Sequence, residues 1–305
     1  MKVMTNGLEF EVEINEPTNV NSDVELTPEP PTVLLIMGLG MQLIAWPLAF
    51  VNALTGAGYR VLRLDNRDIG LSHKTSTPMP SLMWMALKYR VRLPVRADYT
   101  LRDMVEDTRG VLDALNISRC HVIGVSMGGM IAQGLASHHR DRVASLTSIM
   151  STTGARGLPQ ATPKATMALL SRPKSKLRHD IIKHFVHLLG IIGSPKFPTP
   201  HAEVQQRIGE AFDRSFYPAG TIKQMAAIMA SGDRSDEVRG ITVPTLVIHG
   251  RDDPLVPLKN GEDTAKKIAG SEYSVIDGMG HDLGALAEVM ARILPFLRQH
   301  SPSQT

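Results

Sequence analysis

A serine flanked by glycines stands in Gly124-Val125-Ser126-Met127-Gly128-Gly129, where the apolar run 121–125 gives way to a helical pattern beginning near residue 127. A nucleophile held on a strand-to-helix turn must adopt a strained backbone, and residues without a bulky side chain at 124 and 128 permit it. A glycine turn with a helix-capping serine would show the same letters, so the placement between strand and helix carries more weight than the pattern. A serine hydroxyl also needs a base to take its proton, and the base needs an orienting carboxylate. His281 is the leading base: it closes Asp277-Gly278-Met279-Gly280-His281, a glycine-containing loop directly after the strand-like run 273–276. His121 and His249 border buried strands, and His138 and His139 lie at the far end of the helix that Ser126 opens. His184 and His187, spaced i, i+3, have no cysteine or paired carboxylate to complete a metal site. For the acid, His249-Gly250-Arg251-Asp252-Asp253-Pro254 offers two adjacent aspartates, and Asp253 is favoured because Pro254 restrains the chain right after it. No other carboxylate competes between Asp141 and Asp180, so the order is Ser126, Asp253, His281.

Attack on a carbonyl creates an oxyanion that needs two backbone N–H donors. Met127, next after the serine, and Leu39, in the glycine-bracketed loop Met37-Gly38-Leu39-Gly40, are the candidates. Met37 and Trp46, beside this loop, are candidate substrate contacts, and Met83, Trp84 and Met85 could add an apolar wall. The chemistry needs no cofactor and no metal.

These residues require a scaffold that delivers loops to one edge. Residues 8–14 alternate apolar and acidic, the signature of a strand with one wet face. By contrast 33–37, 61–64, 121–125, 143–150 and 243–248 are nearly continuously apolar, as suits strands buried on both faces of a parallel sheet. Helical patterns over 45–57, 100–116, 127–138, 258–269 and 285–299 alternate with them, which predicts an α/β fold; Thr100 with Asp103 reads as a capping box. Two stretches break the alternation: an excursion from His73 to Tyr99, and residues 152–236, about four helical segments without a strand. The organisation expected is therefore a core over 1–151, a helical cap over 152–236 and the rest of the core over 237–305. Pro17 to Pro31 reads as a polar loop and 301–305 as a frayed terminus.

Composition excludes several classes. Apolar residues make up 43% and charged ones 21% of 305, in the globular range. A net charge of +3 is too small to argue for nucleic-acid binding. The single cysteine, Cys120, excludes an internal disulfide and reads as buried. Neither a signal-like run at the N-terminus nor a stretch long enough to insert in a membrane is found, so a cytoplasmic location is expected.

The stretches Leu34 to Gly40 with Trp46-Pro47, Arg63-Leu64-Asp65-Asn66-Arg67-Asp68-Ile69-Gly70-Leu71-Ser72, the serine turn, Asp253-Pro254 and Gly280-His281 resemble the α/β-hydrolase superfamily, within it the capped serine esterases similar to aclacinomycin methylesterase. The likeness spans residues 33–151 and 237–297 and hardly touches 152–236. It implies the α/β-hydrolase fold, a mostly parallel sheet covered by helices, and hydrolysis of a small-molecule carboxylic ester. Many relatives carry His-Gly where this chain has Met37-Gly38, which leaves the backbone donor intact. Asp65, Arg67 and Ser72 match a structural turn of the superfamily rather than its catalytic set. Relatives that place Asp at the nucleophile position, dehalogenases and epoxide hydrolases, are disfavoured by Ser126. An aminopeptidase, a C–C hydrolase, an acyltransferase, or a non-enzymatic ligand receptor on the same scaffold remain open alternatives.

Overall fold

The nearly continuous apolar runs become the centre of one sheet. A computed structural model describes residues 1–18, 29–78, 81–91 and 93–301; most of the loop expected over 17–31, and residues 302–305 of the expected terminus, lie outside them. Strands β1 (Lys2–Thr5), β2 (Leu8–Asn15), β3 (Thr32–Ile36), β4 (Arg60–Leu64), β5 (Cys120–Val125), β6 (Val143–Ile149), β7 (Thr245–Gly250) and β8 (Glu272–Ile276) lie in the order β1-β2-β4-β3-β5-β6-β7-β8. β1 pairs antiparallel with β2 and β2 with β4, while every pairing from β4 across to β8 is parallel. All residues of β3, β5 and β7 are buried, the condition that makes alternation disappear from a strand sequence. β1 is not foreseen from the sequence: at four residues it carries almost no pattern, and the pairing of Lys2 with Glu11 through Thr5 with Leu8 defines it.

Helices α1 (Leu48–Gly56), α2 (Leu82–Arg90), α3 (Leu101–Ala114) and α4 (Met127–His138) precede β6. α5 (Pro163–Leu170), α6 (Arg178–Ile192), α7 (His201–Arg214), α8 (Pro218–Ser231) and the short α9 (Ser235–Arg239) fill the interval before β7, and α10 (Lys259–Lys267) and α11 (Leu286–His300) complete the chain. The capping box at Thr100 forms as expected, its hydroxyl accepting from the Asp103 amide while the Asp103 carboxylate accepts from the Thr100 amide. α1 starts later than the pattern suggests, because residues 43–45 form a 3₁₀ turn and Pro47 caps the helix. α2 is a helix within the excursion, where none is predicted. Among the described residues no helix is long and apolar enough to cross a membrane.

The sheet buries both faces. Leu34 and Ile36 of β3 point to a core shared with Met104 of α3 and Ile131 and Leu135 of α4. Val33 and Leu35 point the other way, onto Phe50 and Leu54 of α1 and Ile293 and Phe296 of α11. Cys120 is fully within the first of these layers, and burial pushes its thiol up to about 12. The segment after β4 serves as a brace. The Asp65 carboxylate, with no exposed surface, accepts the amides of Leu43 (2.7 Å) and Leu71 (2.9 Å), and the Ser72 hydroxyl donates to the Asp65 carbonyl (2.6 Å). Arg67 grips both oxygens of Asp107 (2.5 and 2.6 Å) beneath the ring of Tyr99. α7 docks on the same brace: Arg214 donates to Asp65 (2.7 Å) and to Gln42 (2.6 Å), and Gln42 donates to the carbonyls of Ala211 (2.6 Å) and Ser215 (2.8 Å).

His121 of β5 sits between the hydroxyls of Ser145 (2.7 Å) and Ser301 (3.1 Å), and burial holds its pKa down at about 4. The folded ring stays neutral at pH values where the unfolded ring, near 6.5, takes up a proton. Its contribution to stability is therefore complete above about pH 6.5 and is lost as pH falls toward 4, by no more than about 3 kcal/mol. Urea unfolding at pH 7 and pH 4.5 should show a smaller acid-induced drop in His121→Asn than in the parent; equal drops would remove this residue as a source of acid sensitivity.

Candidate active site

The end of β5 and the start of α4 pass closer to β3 than side chains allow. A Cβ at Gly128 would lie 2.0 Å from the Ile36 carbonyl oxygen and 2.7 Å from that of Met37, and one at Gly124 would lie 2.2 Å from the Gly128 carbonyl oxygen. Glycine at both positions is thus a steric requirement of the turn. The residue at the crest, Ser126, has φ 55° and ψ −118°, a conformation rarely adopted by a residue with a side chain. Its amide donates to the Ile149 carbonyl (2.9 Å) and its carbonyl accepts from the Ser151 hydroxyl (2.8 Å), so the next strand holds the crest in place.

The structure brings the three residues of the predicted relay together. His281 Nε2 is 3.0 Å from Ser126 Oγ, and His281 Nδ1 is 2.7 Å from Asp253 Oδ2. The other carboxylate oxygen accepts the amides of Leu255 (2.9 Å) and Val256 (2.8 Å), which fixes the orientation of Asp253, buried to 5% exposure. A carboxylate cannot donate, so the proton between them belongs to His281 Nδ1 and the free lone pair on Nε2 faces the serine hydroxyl. Asp252 is exposed and turns away, its carboxylate accepting the Gly278 amide at 2.8 Å. His249, fully buried at the end of β7, donates from Nε2 to the Val256 carbonyl (2.7 Å) and so steadies the loop whose amides grip Asp253. Burial lowers its pKa, keeping that ring neutral.

The two candidate oxyanion donors belong to segments that adjoin the serine. Met127 opens α4, where its N–H has no helical acceptor, and Gly38, immediately before Leu39, would place a Cβ 3.3 Å from Ser126 Cβ. Neither the Leu39 nor the Met127 N–H has a partner among the described residues. The neighbouring Gly40 amide is taken by Gln224 Oε1 of α8 (2.9 Å), whose amide nitrogen donates to the Arg67 carbonyl (2.8 Å). Trp46 is 1% exposed against Phe50, and Met37, 5% exposed, belongs to the same buried cluster. Met83 and Trp84 are exposed to solvent, and Met85 is buried against Ala226 of α8.

Two supports carry no signal in the sequence near the residues they serve. The His281 amide donates to the Ile192 carbonyl at the end of α6 (2.7 Å), and Ser194 Oγ accepts the Gly280 amide (2.9 Å) while its hydroxyl pairs with Asp282. Gln224 reaches the Leu39 loop from 184 positions away. A cavity of about 180 Å³ is lined by Met130, Thr152, Ile228, Leu255 and Val256 among others, but by none of Ser126, Asp253 and His281, and its charged wall residue is Arg234. The Arg234 guanidinium is already engaged by the carbonyls of Met130 (3.1 Å) and Thr152 (2.5 Å) and by Gln133 (3.1 Å).

A family model described as the alpha/beta hydrolase fold matches residues 31–285. Among curated proteins, rhodomycin D methylesterase of Streptomyces peucetius is 24% identical over 276 residues, covering 84% of this chain and 86% of its own. The 2-hydroxy-6-oxononadienedioate/2-hydroxy-6-oxononatrienedioate hydrolase of Cupriavidus pinatubonensis is 27% identical over 253 residues, 82% of this chain and 80% of the relative. Among solved structures, the enol-lactonase of Burkholderia xenovorans superposes with a TM-score of 0.72 at 22% identity, over 98% of this chain and all of that one.

The backbone at Ser126 makes a prediction about stability. Strain of this kind costs about 1–3 kcal/mol, and a glycine relieves it at an entropic cost of about 0.5–1 kcal/mol. Ser126→Gly should therefore be more stable than Ser126→Ala by about 1 kcal/mol in urea unfolding. Equal midpoints would mean that no strain is stored at the crest.

Proposed function

The chain belongs to the α/β-hydrolase fold family, and from that footing we propose that it is a serine hydrolase that cleaves uncharged, small-to-medium carboxylic esters through an acyl-enzyme. One observation carries the reading: Ser126, His281 and Asp253 form an unbroken relay whose acid is buried and held by two amides. Ser126 Oγ attacks the ester carbonyl as His281 Nε2 takes its proton; the Leu39 and Met127 amides receive the oxyanion. His281 then gives that proton to the leaving alkoxide, which departs as the alcohol. Water enters, His281 removes a proton from it, and the hydroxide attacks the acyl carbon; collapse releases the acid and returns the proton to Ser126. Asp253 holds the imidazole in the required tautomer and stabilises its charged form throughout. No cofactor or metal takes part in these steps.

Residues 152–236 act in this reading as a cap over the core residues 1–151 and 237–305, gating entry and release. The cavity of about 180 Å³ whose wall includes Leu255 and Val256 of the Asp253 loop has room for a group near the size of benzene, which occupies an engineered hole of about 150 Å³ in another protein. Its single charged wall residue, Arg234, already serves three protein acceptors, which favours an uncharged substrate over a dicarboxylate. The similarity to the Cupriavidus hydrolase keeps C–C bond cleavage as the second reading, since the same relay serves it.

Turnover of p-nitrophenyl esters across acyl lengths tests the proposal directly. Many turnovers with a short-chain optimum are expected; a burst of one equivalent without turnover would instead make the protein a receptor. Preference for long-chain triglyceride emulsions, or a jump in rate at the oil surface, would overturn the esterase reading. Ser126→Ala should lower kcat by at least about 10³-fold with the fold intact, because the relay acts as a unit. Asp253→Asn should cost about 10⁴-fold by reversing the imidazole tautomer, whereas Asp252→Asn should change kcat less than about threefold. Comparable losses in the two asparagine variants would mean that the acid has been misassigned.

A further inference from the structure

α2 turns its apolar stripe outward. Met83, Leu87 and Val91, at i, i+4 and i+8, lie with Trp84 within one 100° sector of the helix, and the Val91 amide continues the helical pattern by donating to the Leu87 carbonyl (3.0 Å). All four are exposed, by 76% at Met83, 59% at Trp84, 47% at Leu87 and 53% at Val91, and Leu93 beyond them is exposed as well. The opposite side supplies the attachment: Met85 and, after the helix, Val95 are buried against Ala226 of α8. Single exposed apolar residues are ordinary, but a contiguous stripe with a tryptophan at its end is the mark of a surface with a partner.

The charge around the stripe says which partner. From Asp68 to Asp98 the sequence contains no carboxylate, and Lys88, Arg90, Arg92 and Arg96 fall within the last eleven of those positions. Four positive charges there exceed the net charge of the entire chain, +3. Asp98, at the end of the stretch, is engaged by the Thr77 hydroxyl. A second copy of the chain is a poor occupant, because an isologous contact would press this cationic segment against itself. An apolar stripe carrying tryptophan, in a stretch of sequence rich in lysine and arginine, matches the interface of an anionic bilayer, where the apolar side chains enter the headgroup boundary and the cations meet lipid phosphates. At nine residues α2 lies on such a surface and cannot span it.

We propose that the outward face of α2 and the segment following it bind the protein peripherally to anionic lipid surfaces. The inference does not depend on the ester reading, since Met83, Trp84 and Leu87 take no part in the relay. The two tryptophans make it measurable: Trp46 is 1% exposed and silent to lipid, so a change in emission reports Trp84 at 59%. The full-length protein should co-sediment with phosphatidylcholine vesicles containing phosphatidylglycerol, with a blue shift of tryptophan emission, and only weakly with phosphatidylcholine alone. Binding should weaken in about 0.5 M salt. Trp84→Ser with Leu87→Ser should cut the association by about tenfold or more, and Lys88→Glu with Arg96→Glu should erase the preference for the anionic lipid. Both variants should keep the parent's urea midpoint and its turnover of a soluble ester, which separates loss of the surface from loss of fold. Absence of binding to the anionic vesicles, binding without a blue shift, equal binding by the variants, or a concentration-dependent dimer that Trp84→Ser with Leu87→Ser dissolves would each overturn the proposal.

Discussion

Backbone contact between the start of α4 and the end of β3 is the constraint on which the candidate site depends. With the Gly128 Cβ position only 2.0 Å from the Ile36 carbonyl oxygen, the two chains meet without any side chain between them. That approach lifts Ser126 to the crest at φ 55°, and it brings the Met37–Gly40 loop alongside, so the serine and the loop that carries Leu39 are placed by one packing event. The parallel register supports it from the far side, where Ile149 and Ser151 bond the backbone of Ser126. Backbone groups, which cannot be altered by substitution, make most of these contacts, and the glycines are what admit them.

The base and acid are held by a different logic. Asp253 is fixed by its own loop, through two amides and through His249 bonding the carbonyl of Val256. His281 is fixed from outside that loop, by the Ile192 carbonyl and by Ser194 acting on Gly280 and Asp282. The segment between α6 and α7 thus touches the histidine loop directly, and α8 touches the opposite side of the site through Gln224 and the Gly40 amide. Any displacement of the helices over 163–231 has to break hydrogen bonds on both flanks of the serine, in addition to the Arg214 contacts with Asp65 and Gln42. Interlocked polar contacts of this kind favour discrete arrangements over gradual deformation.

How far a residue could be read from the sequence tracks how local its cause is. Ser126 and its glycines announce themselves because the steric demand falls on adjacent positions. Asp253 was separable from Asp252 through the neighbouring proline, and the structure turns Asp252 out toward the Gly278 amide. Trp46 and Met37 show the opposite case. Their positions beside the loop suggested substrate contacts, yet apolar side chains of that size are equally suited to the layer under α1, and only packing distinguishes the two. α2 is not legible as a helix in the sequence because its outward apolar stripe reverses the usual relation between hydrophobicity and burial.

By itself the sequence determined the α/β alternation, the buried parallel strands and the capping box at Thr100, and it singled out Ser126, Asp253 and His281 as candidates, because each rests on periodicity or on the chemistry of near neighbours. Tertiary structure alone decided the β1 pairing, the Asp65 link to Arg214, the anchoring of His281 by Ile192 and Ser194, and the burial of Trp46. Each of these joins positions tens to hundreds of residues apart, or depends on which of two apolar surfaces a side chain meets. Such contacts leave no pattern in a single chain's letters, since their energy arises only when folding has brought the partners together.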